Sequence, residues 1–257
     1  MRLSFSYLQR SRFSQPVTDH SFTLKVIPRD DAKQRISGVQ YSVSPACRLC
    51  SGLGPFRSNE LYGTIREAHS LMEVSVQGRA EIFPEEPLGA TERYIPLFAL
   101  QSRQTKPGEC VLSLLSETKA YPDVLDAAWS FTETIQRRFS YKKGVTGIST
   151  TAEEAMRRGA GVCQDYSQIL LSLLRLSGFP ARYVCGMVLG DGESHAWVEL
   201  FSDGFWIAFD PTRARLADIG YIKISVGRDS FDTKLNKGIY KGVSEEEFTA
   251  SFSVIEQ

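Results

Sequence analysis

Gly159-Ala-Gly-Val-Cys163-Gln-Asp-Tyr-Ser-Gln-Ile-Leu-Leu-Ser-Leu-Leu-Arg-Leu-Ser-Gly178 passes from a glycine-rich approach into an apolar run. Ile169, Leu170, Leu171, Leu173, Leu174 and Leu176 leave that run almost no polar face, so the spacing predicts a helix buried at the centre of its domain. Gly178 can take the left-handed cap that ends it, and Pro180 has no amide with which to continue it. Upstream, Pro122 and Asp123 suit a helix start, and Val124, Ala128, Phe131, Ile135 and Phe139 recur at three- and four-residue steps. Thr151 with Glu154 has the form of a capping box for a short helix that Gly159 closes. Downstream, strand-like runs occupy 181–189, 194–201, 205–210, 221–226 and 248–255. Helices followed by a meander of strands predict an α+β domain, with the central helix packed on an antiparallel sheet.

The first 105 residues read differently. Phe22, Leu24 and Val26 alternate with Thr23, Lys25 and Ile27 before Pro28. Val39, Tyr41 and Val43 alternate with Gln40, Ser42 and Ser44 before Pro45, and Met72, Val74 and Val76 face away from Leu71, Glu73, Ser75 and Gln77. Turn chemistry lies between them at Gly52-Leu-Gly-Pro55 and Ser58-Asn59. Short strands at this spacing predict an antiparallel β-sandwich. Pro84-Glu-Glu-Pro87 through Lys106-Pro107-Gly108 has the composition of a connector. The expected organisation is an N-terminal β-sandwich domain over 1–105 and an α+β domain over 106–257.

Composition narrows the functional classes. Hydrophobic residues make up 42% of the 257 and charged residues 23%, which excludes wholesale disorder and fibrous repeats. The 30 basic and 30 acidic side chains cancel, removing the electrostatic footprint of a nucleic-acid-binding or membrane-surface protein. The first residues lack the apolar core of a secretory signal, and no apolar run is long enough to span a bilayer, so a soluble, cytoplasmic protein is expected. Five cysteines, Cys47, Cys50, Cys110, Cys163 and Cys185, are an odd, scattered set that argues against a disulfide framework. Cys47-Arg-Leu-Cys50 has the spacing of half a zinc site, but no second pair follows, so neither a metal nor another cofactor is expected.

Cys163 sits where the glycine-rich approach becomes a helix. Unpaired amides and the positive end of the macrodipole favour a thiolate there and can hold a developing oxyanion. Read from position alone, the residue is better explained as a small buried hydrophobe. His195 changes the balance. It lies in Gly192-Glu-Ser-His195-Ala-Trp-Val-Glu199, on a strand followed by Ser202-Asp203-Gly204, and Asp-Gly between apolar strands is a hairpin signal. With the loop centred between Asp203 and Gly204, Trp197 faces Asp210, and His195 projects on the same face as Asp210, diagonally displaced. That register offers a carboxylate to fix the imidazole tautomer and leaves the other nitrogen for the thiol. Tyr141, Gln164 and Trp197 are secondary candidates for the cleft or an oxyanion donor, though Trp197 and Trp206 are better explained as packing that excludes water. Asp165 suits the first turn of a helix and is not assigned to catalysis.

At these residues the chain becomes recognisable. Gly161-Val-Cys163-Gln-Asp165, Gly178-Phe-Pro180-Ala-Arg-Tyr-Val184, Ser194-His195-Ala-Trp-Val-Glu199 and Trp206-Ile-Ala-Phe-Asp210-Pro-Thr212 together resemble the transglutaminase-like superfamily, particularly its bacterial two-domain branch, over residues 120–226. Residues 1–83 are similar, more weakly, to that branch's N-terminal β domain, and Gly227-Arg-Asp229 and Lys237-Gly-Ile-Tyr-Lys-Gly242 to its C-terminal strands. The resemblance implies a papain-like core with Cys163 as nucleophile, His195 as base and Asp210 as orienter. Ser167 departs from the branch, in which a histidine or another bulkier residue is common at that point.

The expected function is a thiol enzyme acting on amide bonds of a peptide or protein substrate through a Cys163 acyl-thioester. Hydrolysis is favoured because the branch carries cysteine-protease descriptions and nothing in the chain resembles a calcium loop. Transglutaminase-type amine transfer to a glutamine acyl donor is the alternative, and a catalytically silent scaffold on the same fold is the other.

Overall fold

The computed structural model describes residues 1–83 and 96–257. One long strand organises the first half. β1 (Arg2–Leu24) buries Leu3, Phe5, Tyr7, Phe13, Val17, Phe22 and Leu24. Gln9 and Ser11 are buried on the same face, Gln9 accepting a hydrogen bond from the Tyr7 hydroxyl at 2.7 Å. These two polar residues break the apolar alternation, which is why most of β1 goes unmarked by period-2 reasoning. β2 (Gln34–Ser44), β3 (Leu49–Leu53), β4 (Asn59–Ile65) and β5 (His69–Ile82) follow. Met72, Val74 and Val76 of β5 are buried, as their alternation predicts.

α1 (Glu109–Ser116), α2 (Val124–Arg138), the two-residue β6 (Ser140–Tyr141), α3 (Ala152–Arg158), β7 (Ala160–Gly161) and α4 (Cys163–Leu176) come next. The Asp123 side chain accepts from the Leu125 and Asp126 amides at the start of α2, and Thr151 and Glu154 cap α3 reciprocally. Gly159 and Gly178 take the left-handed conformations that end α3 and α4, at φ 69° and 84°. Ile169, Leu170, Leu171, Leu173 and Leu174 of α4 are fully buried, each burial contributing about 1.5–3 kcal/mol.

β8 (Ala181–Val188), β9 (Gly190–Gly192), β10 (His195–Ser202), β11 (Phe205–Asp210), β12 (Arg215–Leu216), β13 (Tyr221–Gly227), β14 (Asn236–Lys241) and β15 (Glu246–Glu256) complete the chain. Five of them form an antiparallel sheet in the order β12-β11-β10-β8-β13. α4 packs on the face carrying Tyr183, Cys185, Ala196, Val198, Leu200 and Phe209. The mixed α/β architecture is thus an antiparallel sheet around a central helix, joined to a second, larger sheet.

That larger sheet differs from a sandwich built from residues 1–105 alone. It is one curled, eight-stranded sheet that includes strands from the other end of the chain. β15 pairs along the first half of β1, from Leu3–Glu256 to Phe13–Glu246, while β14 pairs along its second half. β9 then extends the sheet beyond β15. The physical reason is the length of β1: β5 and β4 each pair with one half of it, and the edge remaining beside each half is filled by a C-terminal strand. Sheet membership therefore crosses the sequence division at 105/106.

The two sheets are locked at a buried charged seam. Lys223 of β13 pairs with Asp31 at 2.6 Å and with Glu199 of β10 at 2.5 Å, and Glu199 also accepts from Arg182 Nε at 2.6 Å. The Gln34 side chain bonds both the N–H and the C=O of Lys223. Met187, Ile222 and Ile224 complete the core of the curled sheet. Of the connector expected over 84–108, residues 84–95 lie outside the described residues; beyond them, Arg175 of α4 donates to the Phe98 carbonyl and the Thr105 hydroxyl. Among the described residues no helix is long and apolar enough to cross a membrane.

Candidate active site

The hairpin between β10 and β11 takes the register that Asp-Gly predicts. Asp203 and Gly204 both have positive φ, at 49° and 89°, as a tight hairpin turn requires. Ser202 lies opposite Phe205 and Val198 opposite Phe209. His195 and Asp210 consequently share a face, and His195 Nε2 is 2.7 Å from Asp210 Oδ2.

Asp210 is fully buried and fully partnered. Its Oδ1 accepts the amides of Thr212 and Arg213 at 2.9 and 3.3 Å, and its Oδ2 accepts the Tyr221 hydroxyl at 2.8 Å beside His195. Burial works against the charged form, but the bonds from His195, Tyr221 and the backbone prevail and hold the Asp210 carboxyl below the usual carboxylate range. Burial likewise pulls the His195 imidazole down, yet hydrogen bonds to Asp210 and Cys163, together with their charges, raise it to about 9. With Nε2 committed to Asp210, Nδ1 is the nitrogen left for Cys163.

Cys163 opens α4, is half-buried, and lines with His195 a cleft of about 590 Å³. The helix start is shaped by Asp165, whose Oδ2 accepts the Val162 amide at 2.7 Å and the Thr146 hydroxyl at 2.6 Å. A Cβ on Gly161 would come within 2.3 Å of that oxygen, so the glycine is what lets the carboxylate close the turn. Burial raises the Asp165 carboxyl in spite of these bonds. At the first turn the amides of Cys163 and Gln164 have no intrahelical acceptor, which is the donor pair an oxyanion needs.

The secondary candidates separate. Tyr141 lines the cleft and is about half exposed, its hydroxyl pushed up by burial and by the negative charge of Cys163. Gln164 also lines the cleft, but its Nε2 donates to the Gly147 carbonyl at 3.2 Å. Trp197 does not belong with them: it is 1% exposed, stacked behind His195 at 6.4 Å and edge-on to Tyr221 at 5.3 Å. Two residues further along β10 than His195, it shares that face but lies deeper in the sheet, so it supports the ring and does not meet the cleft.

Three residues at the site carry no sequence signal of their own. Tyr221 reaches Asp210 from the start of β13, with its hydroxyl raised to about 12 by burial and by the Asp210 charge. Gly186 lies opposite His195 on β8, and a Cβ there would sit 2.4 Å from the Trp197 ring and 2.2 Å from the Ile222 carbonyl. Arg213 follows the Asp210 turn and lines the cleft.

Two family profiles match the chain: Transglutaminase-like superfamily over residues 114–211 and Bacterial transglutaminase-like N-terminal region over residues 4–81. The chain belongs to the transglutaminase-like superfamily. This transglutaminase-like protein is 37% identical over 115 residues to the uncharacterized protein ML0607 of Mycobacterium leprae, a match spanning 41% of each chain. It is 26% identical over 270 residues to the uncharacterized protein Mb2599c of Mycobacterium bovis, covering 89% of this chain and 84% of that one. Among solved structures, a candidate cysteine protease of Cytophaga hutchinsonii superposes with a TM-score of 0.81 at 20% identity, covering 100% of this chain and 92% of that one. That likeness is one of fold.

Proposed function

We propose that this transglutaminase-like protein is a thiol hydrolase of amide bonds in a peptide or protein, with Cys163 as nucleophile, His195 as acid and base, and Asp210 as the residue that orients His195. The observation that carries the reading is the 2.7 Å bond from His195 Nε2 to a buried, fully partnered Asp210, with the free ring nitrogen left for the cysteine that heads α4. Cys163 Sγ attacks the amide carbonyl carbon, and the oxyanion develops near the free amides of the first turn of α4. His195 gives its proton to the departing amine, the C–N bond breaks, and a thioester remains. The neutral imidazole then takes a proton from water, which attacks the thioester, releases an acid and restores the thiol. The Cytophaga hutchinsonii neighbour is described as a candidate cysteine protease, which favours hydrolysis over amine transfer.

The test is a peptide library incubated with the protein with and without added cadaverine, read by product mass. Free carboxylic acids in both arms are expected. Products that form only with the amine and carry its mass would replace hydrolysis by amine transfer. No product in either arm, with Cys163 unmodified, would leave the fold as a scaffold.

A further inference from the structure

Arg213 stands on the cleft wall with 45% of its side chain exposed. Among the described residues its one ion-pair partner is Asp210, whose Oδ2 lies 3.8 Å from Arg213 Nε, beyond hydrogen-bonding distance. That carboxylate is already saturated by His195, Tyr221 and two backbone amides. The guanidinium is nevertheless held in place. Its Nη1 donates to the Tyr221 hydroxyl at 3.3 Å, its centre lies 5.8 Å from the Tyr221 ring, and its own amide is tied to Asp210 Oδ1. The result is a planar fork of donors, most of them unspent, on the cleft wall.

The neighbouring charges do not compete for it. Tyr141 sits among Cys163, Lys143, Glu193 and Arg213, which places the guanidinium in the same neighbourhood as the candidate nucleophile. Lys143 and Glu193 pair with each other at 3.1 Å. Lys234 lies 4.1 Å over the Phe231 ring, and Asp191 and Glu246 also line the cleft without pairing to Arg213. Arg213 lines the same cleft as Cys163, and its ion pair with Asp210, at 3.8 Å, leaves most of its donors free. A planar guanidinium can hold a single carboxylate through two parallel bonds.

We propose that Arg213 binds a carboxylate of the substrate, so that the cleft selects amide substrates carrying an acidic group close to the bond presented to Cys163. The selection rests on the reading of Cys163 as the attacking thiol. The carboxylate can come from an aspartate or glutamate side chain or from a free chain terminus, and the test separates the two.

Short fluorescent peptides are made in matched pairs, Glu against Gln at each position and free acid against amide at the C-terminus. Their affinities for the full-length Cys163→Ala protein are measured by anisotropy. At least one acidic peptide is expected to bind roughly tenfold more tightly than its neutral partner. The gap closes when Arg213→Gln is added, survives in part with Arg213→Lys, and shrinks as salt is raised. A gap confined to the terminal pair assigns the carboxylate to a chain end, and one confined to a Glu/Gln pair assigns it to a side chain. Equal binding in every pair, or a gap that persists in Arg213→Gln, overturns the assignment. The chemistry is tested separately by turnover with Cys163 intact. A binding gap without cleavage supports Arg213 and sinks the amide reaction, whereas cleavage at equal kcat/KM for acidic and neutral partners keeps the reaction and removes Arg213 from it.

Discussion

Asp210→Asn keeps the shape of a buried side chain and removes an oxygen that accepts from two donors. Asp210 Oδ1 faces the amides of Thr212 and Arg213, so the asparagine oxygen turns to that side. Its NH₂ group then meets the His195 ring and the Tyr221 hydroxyl. His195 Nε2 can face that group only as an acceptor, which moves the ring proton to Nδ1, on the Cys163 side. The ring can no longer act as a base towards the thiol. Burial, now unopposed by the carboxylate, pulls the imidazole from about 9 towards its ordinary 6.5. That difference corresponds to roughly 3 kcal/mol of preference for the imidazolium, a net figure in which Asp210 and Cys163 together outweigh burial. The expected slowing of acylation is about 10²-fold, inside the ~10–10⁴ range for loss of a triad carboxylate. The assay is the burst of nitrophenolate from p-nitrophenyl acetate, run on the wild type, Asp210→Asn, His195→Ala and the double variant, with ¹⁵N NMR titration of His195 beside it. The double variant should be about as slow as His195→Ala alone, since the two residues act as one unit. Independent, multiplicative losses, or a His195 that still titrates near 9 in Asp210→Asn, would refute the reasoning.

Three further outcomes follow from the packing around the site. Tyr221→Phe keeps the ring against Trp197 but deletes a donor to a buried carboxylate; stability should fall by about 1.5–3 kcal/mol, and the acid-side loss of Cys163 alkylation should begin at higher pH, because the lost bond was lowering the Asp210 carboxyl. An unmoved pH profile would make Tyr221 structural only. Gly186→Ala should cost roughly 1–3 kcal/mol or more in urea denaturation, because its Cβ has no room beside Trp197 and the Ile222 carbonyl; a neutral substitution would contradict the packing described. Burial penalises the Glu199 carboxylate, but Arg182 and Lys223 outweigh that and hold it down to about 2. Its contribution to stability is therefore full above the ordinary 4.5 and fades as pH falls towards 2. Glu199→Gln should destabilise the protein by about 3–5 kcal/mol at neutral pH, with the gap to wild type narrowing below pH 4.5, as followed by denaturant midpoints across that range.

What was legible in the sequence was what is local. The β10–β11 register depends on two residues, Asp203 and Gly204, and the start of α4 on the change from glycines to leucines, so local signals alone locate Cys163, His195 and Asp210 on their elements. The caps of α2 and α3 lie within four residues of what they cap. The division between the sheets was not legible, because β1 closes its open edges with strands from the far end of the chain, and no local alternation reports such a partner. Tyr221 carries no local signal for a related reason: its bond to Asp210 comes from a different strand, beside the edge of Trp197, and neither partner is near it in sequence. Alternation gives the face of Trp197 but says nothing of its distance from the strand end, which is what separates packing behind His195 from lining the cleft.

The central claim is that Cys163 is the attacking group, and its most direct measurement is the rate of iodoacetamide alkylation at each cysteine near pH 6, resolved by peptide mass spectrometry. The other four provide the scale. Cys50 is exposed, Cys47 and Cys110 have thiols raised by burial, and the buried Cys185 is pushed up to about 12 by burial and by the charge of Cys163. The account predicts that Cys163 is modified at least about tenfold faster than the exposed Cys50, and that His195→Ala removes the advantage. Labelling of Cys163 no faster than Cys50 in the wild type would contradict it.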